Sequence, residues 1–172
     1  GATPVPTPET GAYDGVVGLF EGARYLSSGM FRPRRGACLM QGLGLPFCEI
    51  CRQEYVLALY RGGWGVPASG IDSIEPGSES PPPGAVTVGP GGRLFSATVL
   101  EPSSGPAQVA TWFVDGVPQS SPPAEGPRSF YFDPPANGSY NLELQVDDPT
   151  SFVHPSMAGG LLRSTRTWTV SV

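Results

Sequence analysis

Residues 137–148, NGSYNLELQVDD, decide how the larger part of the chain folds. Tyr140, Leu142, Leu144 and Val146 alternate with Asn141, Glu143 and Gln145. Successive side chains of an extended backbone point to opposite faces, so this pattern predicts a strand with one face in a core and one in water. Asn137-Gly138, just ahead of it, is a tight-turn dipeptide.

Outward from that strand, period-two runs separated by turn-rich segments predict further strands at 85–88, 94–100, 109–114, 129–132 and 162–172. Asp115-Gly116 adds a hairpin signal after the 109–114 strand. Short strands at this spacing fit an antiparallel β-sandwich of immunoglobulin or fibronectin type over residues 85–172. Trp112 is placed to fill its core, and Tyr140, opening a late strand, has the position of a tyrosine corner. This half contains no cysteine, so it lacks the disulfide of antibody domains. Upstream, residues 62–84 (GGWGVPASGIDSIEPGSESPPPG) have linker composition, with the prolines 81–83 as a semi-rigid spacer.

The remaining part, residues 1–61, has a different texture. Residues 1–17 alternate proline with small residues and predict an extended surface strap. Leu19, Phe20, Ala23, Tyr25 and Leu26 have a rough helical spacing that predicts a short helix over 18–28, ended by Gly29. Residues 49–60, EICRQEYVLALY, predict a second helix with Ile50, Cys51, Tyr55, Ala58 and Leu59 on one face, stopped by Gly62-Gly63. Residues 1–45 carry Phe20, Tyr25, Met30, Phe31, Leu39 and Leu43 on too little chain to bury them all, which predicts a partner surface. The fold expected is thus mainly β with a small α part.

Composition excludes several functions. The net charge is −5, and all ten basic residues are arginine. That balance argues against nucleic acid, whose phosphates require a basic footprint. No apolar run approaches the roughly 20 residues of a membrane span. The chain has one histidine, His154, in a proline-flanked loop, and neither a G-x-S-x-G elbow nor an H-E-x-x-H motif. Serine-hydrolase chemistry and a self-contained hydrolytic zinc site both need more than this. Asp147-Asp148 reads as a solvated turn or a calcium rim, and Asn137-Gly138-Ser139 matches a glycosylation sequon.

The cysteines say more. Cys38-x-Met40-x7-Cys48-x2-Cys51 gathers all three thiols around a Gly-rich loop. Three readings stand, in this order: a disulfide from Cys38 to Cys48 or to Cys51, a structural zinc site with its fourth ligand from elsewhere, and a redox C-x-x-C pair.

Taken together, GLFEGARYLSSGMFRPRRGACLM (18–40) and PFCEIC (46–51) resemble the segment downstream of the active site in the IgA-peptidase family of secreted, metzincin-like zinc metallopeptidases. The Pro6–Pro8 lead-in and the W-F-V-D-G run at Trp112–Gly116 fit the same family. The specific part spans about residues 6–60; the β domain is similar only generically. The resemblance implies that residues 1–61 are the C-terminal subdomain of a metallopeptidase-like catalytic domain: short helix, Met-turn loop and final helix. Met40 would be the Met-turn methionine, an apolar floor under the catalytic zinc, with Glu21 and Arg32 as cleft residues. Bland roles for that pair are a helix-turn hydrogen bond for Glu21 and a carboxylate-bound loop anchor for Arg32. Phe31 stands where the family has tyrosine before Arg-Pro.

The expected function is therefore the C-terminal portion of a secreted zinc metalloendopeptidase acting on protein or peptide. The zinc ligands and general-base glutamate would lie on an N-terminal catalytic segment outside this sequence, and this chain alone should be inactive. The alternative is a non-enzymatic immunoglobulin-like binding or structural module with a cysteine-stapled cap.

Overall fold

The computed structural model describes residues 2–63, 65–119 and 127–172, in which strands dominate and helices are few. Two compact units emerge: Gly1–Leu57 with Phe152–His154, and Ala58–Ser151 with Pro155–Val172.

In the first unit the lead-in is a strap, fixed at Thr7 and by ion pairs from Glu9 and Asp14 to Arg32 and Arg35. Thr7 is 3% exposed; its N–H donates to the Leu19 carbonyl at 2.8 Å, and its Oγ1 accepts the Leu19 N–H at 2.9 Å. A 3-10 turn at Gly11–Tyr13 follows.

The short helix expected over 18–28 is instead a hairpin. Strand β1 (Phe20–Ala23) pairs antiparallel with β2 (Leu26–Arg32), with Phe20 opposite Arg32 and Ala23 opposite Leu26. Arg24 and Tyr25 both take positive φ, 52° and 67°, the signature of a two-residue turn that matches strand twist. The buried guanidinium of Arg32 explains the outcome. Its Nη1 donates to the carbonyls of Glu21 and Gly22 and its Nη2 to the Glu9 carboxylate. A helix would have engaged those carbonyls in its own ladder and left Arg32 without acceptors. Phe20 is fully buried, contrary to its expected exposure, whereas Tyr25, Phe31 and Leu43 remain exposed.

Helix α1 (Glu49–Tyr60) forms as expected, but its buried face differs. Leu57 and Tyr60 are buried, and Tyr55 is 40% exposed, its ring tilted against Phe47 with centroids 5.9 Å apart. Its end is a two-bond glycine cap: the Gly62 N–H donates to the Leu59 carbonyl at 3.2 Å and the Gly63 N–H to that of Ala58 at 2.8 Å, with Gly62 at φ 83°.

The second unit contains β3 (Gly84–Thr87), β4 (Arg93–Thr98), β5 (Val109–Val114), β6 (Val117–Pro118), β7 (Pro127–Phe132), β8 (Ser139–Asp147), α2 (Pro155–Ala158) and β9 (Arg163–Ser171). One sheet has the order β3-β9-β8-β5-β6, and a second pairs β4 with β7. The pairing is antiparallel except that β3 runs parallel to β9. The alternation along β8 appears directly: Leu142, Leu144 and Val146 are fully buried. They share one core with Phe95, Ala97 and Phe132 of the smaller sheet and with Trp112, Trp168 and Val170. The two tryptophan rings lie 5.3 Å apart, and Phe95 meets Trp168 edge-on at 5.7 Å. Tyr140 Oη donates to the Ala136 carbonyl at 2.9 Å, a corner that fixes the entry to β8.

Residues expected as linker are part of this unit. Ile74 is fully buried and bridges to Val99, and Ser80 bridges to Ser96, so the stretch extends the edge of β4. The Pro81 carbonyl accepts the indole N–H of Trp168 at 2.8 Å. The proline spacer thus supplies a backbone acceptor that a buried indole requires.

Candidate functional site

Cys38 ends the loop that follows β2, and Cys48 immediately precedes α1, where its carbonyl accepts the Arg52 N–H at 2.9 Å. Cys48 is therefore the N-cap residue, and Cys51 lies one turn into the helix. This brings the three sulfurs into a triangle with each Sγ–Sγ separation 3.5 Å. All three thiols are free, against the first of the three sequence readings; Cys38 and Cys48 are buried and Cys51 half-buried. Among the described residues, no further His, Cys, Asp or Glu donor joins the group.

Their electrostatics diverge although they touch. Burial pushes the Cys38 thiol up. Burial would raise Cys48 too, but the N–H groups of Cys51 and Ile50 at the helix start, with the neighbouring thiols, outweigh it and bring Cys48 below the ordinary thiol value. Burial, followed by the other two sulfurs, pushes Cys51 up to about 12. One thiol at the helix N-terminus thus takes the charge first, and its neighbours resist following it.

Met40 lies in a tight turn beside this triangle. The Gln41 N–H donates to the Cys38 carbonyl at 2.8 Å, and the Met40 carbonyl accepts the Arg24 N–H of the hairpin turn at 2.9 Å. Leu39 N–H donates to the Pro46 carbonyl at 3.1 Å, closing the loop at its base. The Met40 side chain is 41% exposed and lines a recess of about 220 Å3 with Arg24, Tyr25, Leu39 and Leu43. A second recess of about 410 Å3 is lined by Glu21, Arg32, Tyr25 and Gln41; it shares the last two residues with the first.

Glu21, Arg32 and Met40 therefore line neighbouring recesses in one unit, yet Glu21 and Arg32 have structural partners there. Glu21 Oε1 accepts the Gly29 N–H at 2.9 Å, clasping the hairpin rather than a helix turn. Arg32 is the carboxylate-bound anchor, with Glu9 as its carboxylate. His154 is exposed, and its backbone N–H donates to Gln53 Oε1 at 2.9 Å. Asp147 pairs with Arg163 at 2.8 Å, and Asp148 accepts the Tyr60 hydroxyl at 2.5 Å and the Thr150 N–H at 2.9 Å. Both carboxylates are thus engaged in the fold.

Sequence reasoning missed the Arg34–Glu49 ion pair, which ties the loop to the first turn of α1. It also missed Cys48 as a helix cap. Glu49 in the first turn was the available signal for the ion pair; cysteine is not a preferred cap residue, so the sequence carried none for the cap.

No protein-family model matches the chain, and neither does any curated protein or solved structure.

Proposed function

We propose that this chain is the C-terminal portion of a secreted zinc metalloendopeptidase similar to the IgA-peptidase family. Its first unit supplies the Met-turn floor and a cleft wall, and its second unit is an accessory immunoglobulin-like domain. The observation that carries this reading is the setting of Met40. A methionine held in a hydrogen-bonded turn two residues after a buried cysteine lines a recess with Leu39, Tyr25 and Leu43, its side chain 41% exposed. An apolar floor beneath a metal needs such a setting, fixed in its backbone and open on one side.

The residues of this chain do not fit the catalytic zinc by themselves. They offer one histidine, exposed and not among the residues lining the Met40 recess, and the thiols form a cluster of their own with no histidine or carboxylate beside them among the described residues. Zinc ligands, general base and the activated water belong to the N-terminal catalytic segment, which is the partner this reading requires. The cysteine triangle is read as a structural metal site in place of the disulfide. The sheet order, Trp112 in the core and the Tyr140 corner support the immunoglobulin-like assignment.

The test is to obtain the native polypeptide that contains this chain and assay it on protein substrates with and without a zinc chelator. Chelator-sensitive peptide-bond cleavage is expected of that polypeptide and none of residues 1–172 alone. Substituting Met40→Asp should abolish cleavage while zinc analysis still finds the catalytic ion. A native polypeptide without an H-E-x-x-H segment, and without cleavage, overturns the reading. The self-sufficient core of the second unit then favours the other one, a non-enzymatic immunoglobulin-like module with a cysteine-fastened cap.

No helix among the described residues is long and apolar enough to cross a membrane.

A further inference from the structure

We infer that Cys38, Cys48 and Cys51 form a three-thiolate site for a thiophilic divalent cation, zinc foremost, and that the bound ion clamps the loop carrying Met40. The inference deepens the structural-metal half of the reading above and is independent of the peptidase half.

A disulfide holds its sulfurs ~2.05 Å apart, so none of the three 3.5 Å separations is one. Zinc–sulfur bonds of ~2.3 Å at tetrahedral angles place neighbouring thiolates ~3.8 Å apart. Three equal separations just inside that value describe the base of a tetrahedron. A disulfide with a spare thiol would give one short edge and two long ones. The ligand spacing agrees: Cys48-x2-Cys51 falls within the C-x2–4-C spacing of structural zinc sites, and the third thiol comes from a loop. The backbone agrees too, since Cys48 caps the start of α1, where the first N–H groups favour a thiolate. With no fourth donor among the described residues in the group, the apex is left to water or an incoming ligand.

The consequence for Met40 follows from connectivity. Cys38 and Cys48 are the two ends of the loop 39–47, and its internal ties are the Gln41–Cys38 and Leu39–Pro46 backbone bonds. An ion holding Cys38, Cys48 and the helix residue Cys51 closes this loop at its base. Without the ion, the closure depends on the Leu39–Pro46 hydrogen bond, the Arg34–Glu49 ion pair and thiol contacts. Met40 and Leu43, which line the recess, sit on that loop.

The experiment uses residues 1–172 purified under a reducing agent. Metal analysis after zinc addition and desalting is expected to give one zinc per chain. Cobalt substitution should show sulfur-to-cobalt charge-transfer absorption, and thiol titration should find the cysteines protected until a chelator is added. Chymotrypsin reads the clamp, because the loop holds Leu39, Met40, Leu43 and Phe47. If zinc binds only the closed loop, free zinc at ~100 times its Kd should slow cleavage there about a hundredfold. Cys51→Ser replaces the half-buried ligand and should lose the charge-transfer band and the zinc-dependent protection. Metal analysis of the wild-type chain decides the question even if that variant fails to fold. Failure to bind zinc in reduced wild type overturns the site, as does an intact mass two hydrogens low with one free thiol in the chain isolated without reductant. Undiminished binding by Cys51→Ser overturns the three-ligand set, and zinc binding without protease protection overturns the clamp. None of these readouts involves peptidase activity, so a chain that binds zinc here while its parent cleaves nothing would sink only the peptidase reading.

Discussion

Tyr140 shows how much a single residue can carry. Its ring packs edge-on against Phe132 with centroids 5.2 Å apart, and its hydroxyl donates to the Ala136 carbonyl. Tyr140→Phe keeps the ring and removes the hydrogen bond, so it should cost about 1 kcal/mol, read as a lower urea midpoint at unchanged m-value. A neutral result would mean that the corner closes through packing alone. Arg166 offers a second test. It donates to Asp72 at 2.6 Å and also pairs with Glu79. Burial alone would raise both carboxyls, but Arg166 outweighs it and holds each below its ordinary value. A depressed carboxyl stabilises the fold above its unfolded pKa, here 3.8 for Asp72 and 4.5 for Glu79, and that stability is lost as pH falls through the depressed values. Unfolding free energy should therefore drop from pH 5 toward pH 2 (roughly the carboxylate range), and less steeply in Arg166→Met. Equal slopes for the two proteins would remove Arg166 from the account. The corner was legible in the sequence because Tyr140 follows a turn dipeptide and opens an alternating strand. The Arg166 partners were not, since they lie 94 and 87 residues away and no local pattern pairs them.

At the scale of elements, the strands of the second unit were legible because each alternates, and a one-residue shift would turn every apolar side chain outward. The hairpin of the first unit was misread for an equally physical reason. Over so short a run, apolar residues at 19, 20, 23 and 26 satisfy a helix and a bulged hairpin alike. The arbiter was Arg32, a distant residue that needs free carbonyls. Helix α1 was found, but its buried face was misjudged, since Tyr55 packs on Phe47 near the surface while Leu57 is fully buried. The cysteine loop shows the same limit: spacing brought the thiols together without saying whether they bond to each other or to an ion. The end of α1 makes a sharp prediction. Gly62 has φ 83°, and a Cβ there would lie 2.2 Å from the Ala68 carbonyl oxygen, a backbone atom that cannot move alone. Gly62→Ala should therefore cost more than the ~1 kcal/mol of a strained φ by itself. Thermal melts should show that loss, whereas Gly44→Ala, with φ 86° and open space around the added methyl, should show only the strain. Equal effects would mean that the segment at Ala68 yields without cost.

For the whole molecule, the question is where the second unit begins. Composition put the start near residue 85, because glycine and proline crowd 62–84. The structure puts it at Ala58. What composition cannot show is that a turn-rich stretch still carries one apolar side chain and one acceptor that the core needs. Ile74 is fully buried among Phe95, Ala97 and their neighbours, worth about 1.5–3 kcal/mol by the area it removes from water. The Pro81 carbonyl satisfies the buried indole N–H of Trp168, and an unpaired N–H there would cost about 1–3 kcal/mol. Ser80 adds two backbone bonds to Ser96, at 2.9 and 2.8 Å. Removing residues 58–84 therefore takes away several kcal/mol from a domain whose whole stability is on the order of 5–15 kcal/mol. A fragment of residues 58–172 should unfold in one cooperative transition. A fragment of residues 85–172 should melt well below it, with a broadened transition and with the emission of its tryptophans, Trp112 and Trp168, shifted toward that of solvent-exposed indole. Coincident melting curves for the two fragments would show that Ile74 and Pro81 merely rest on a core that is complete without them.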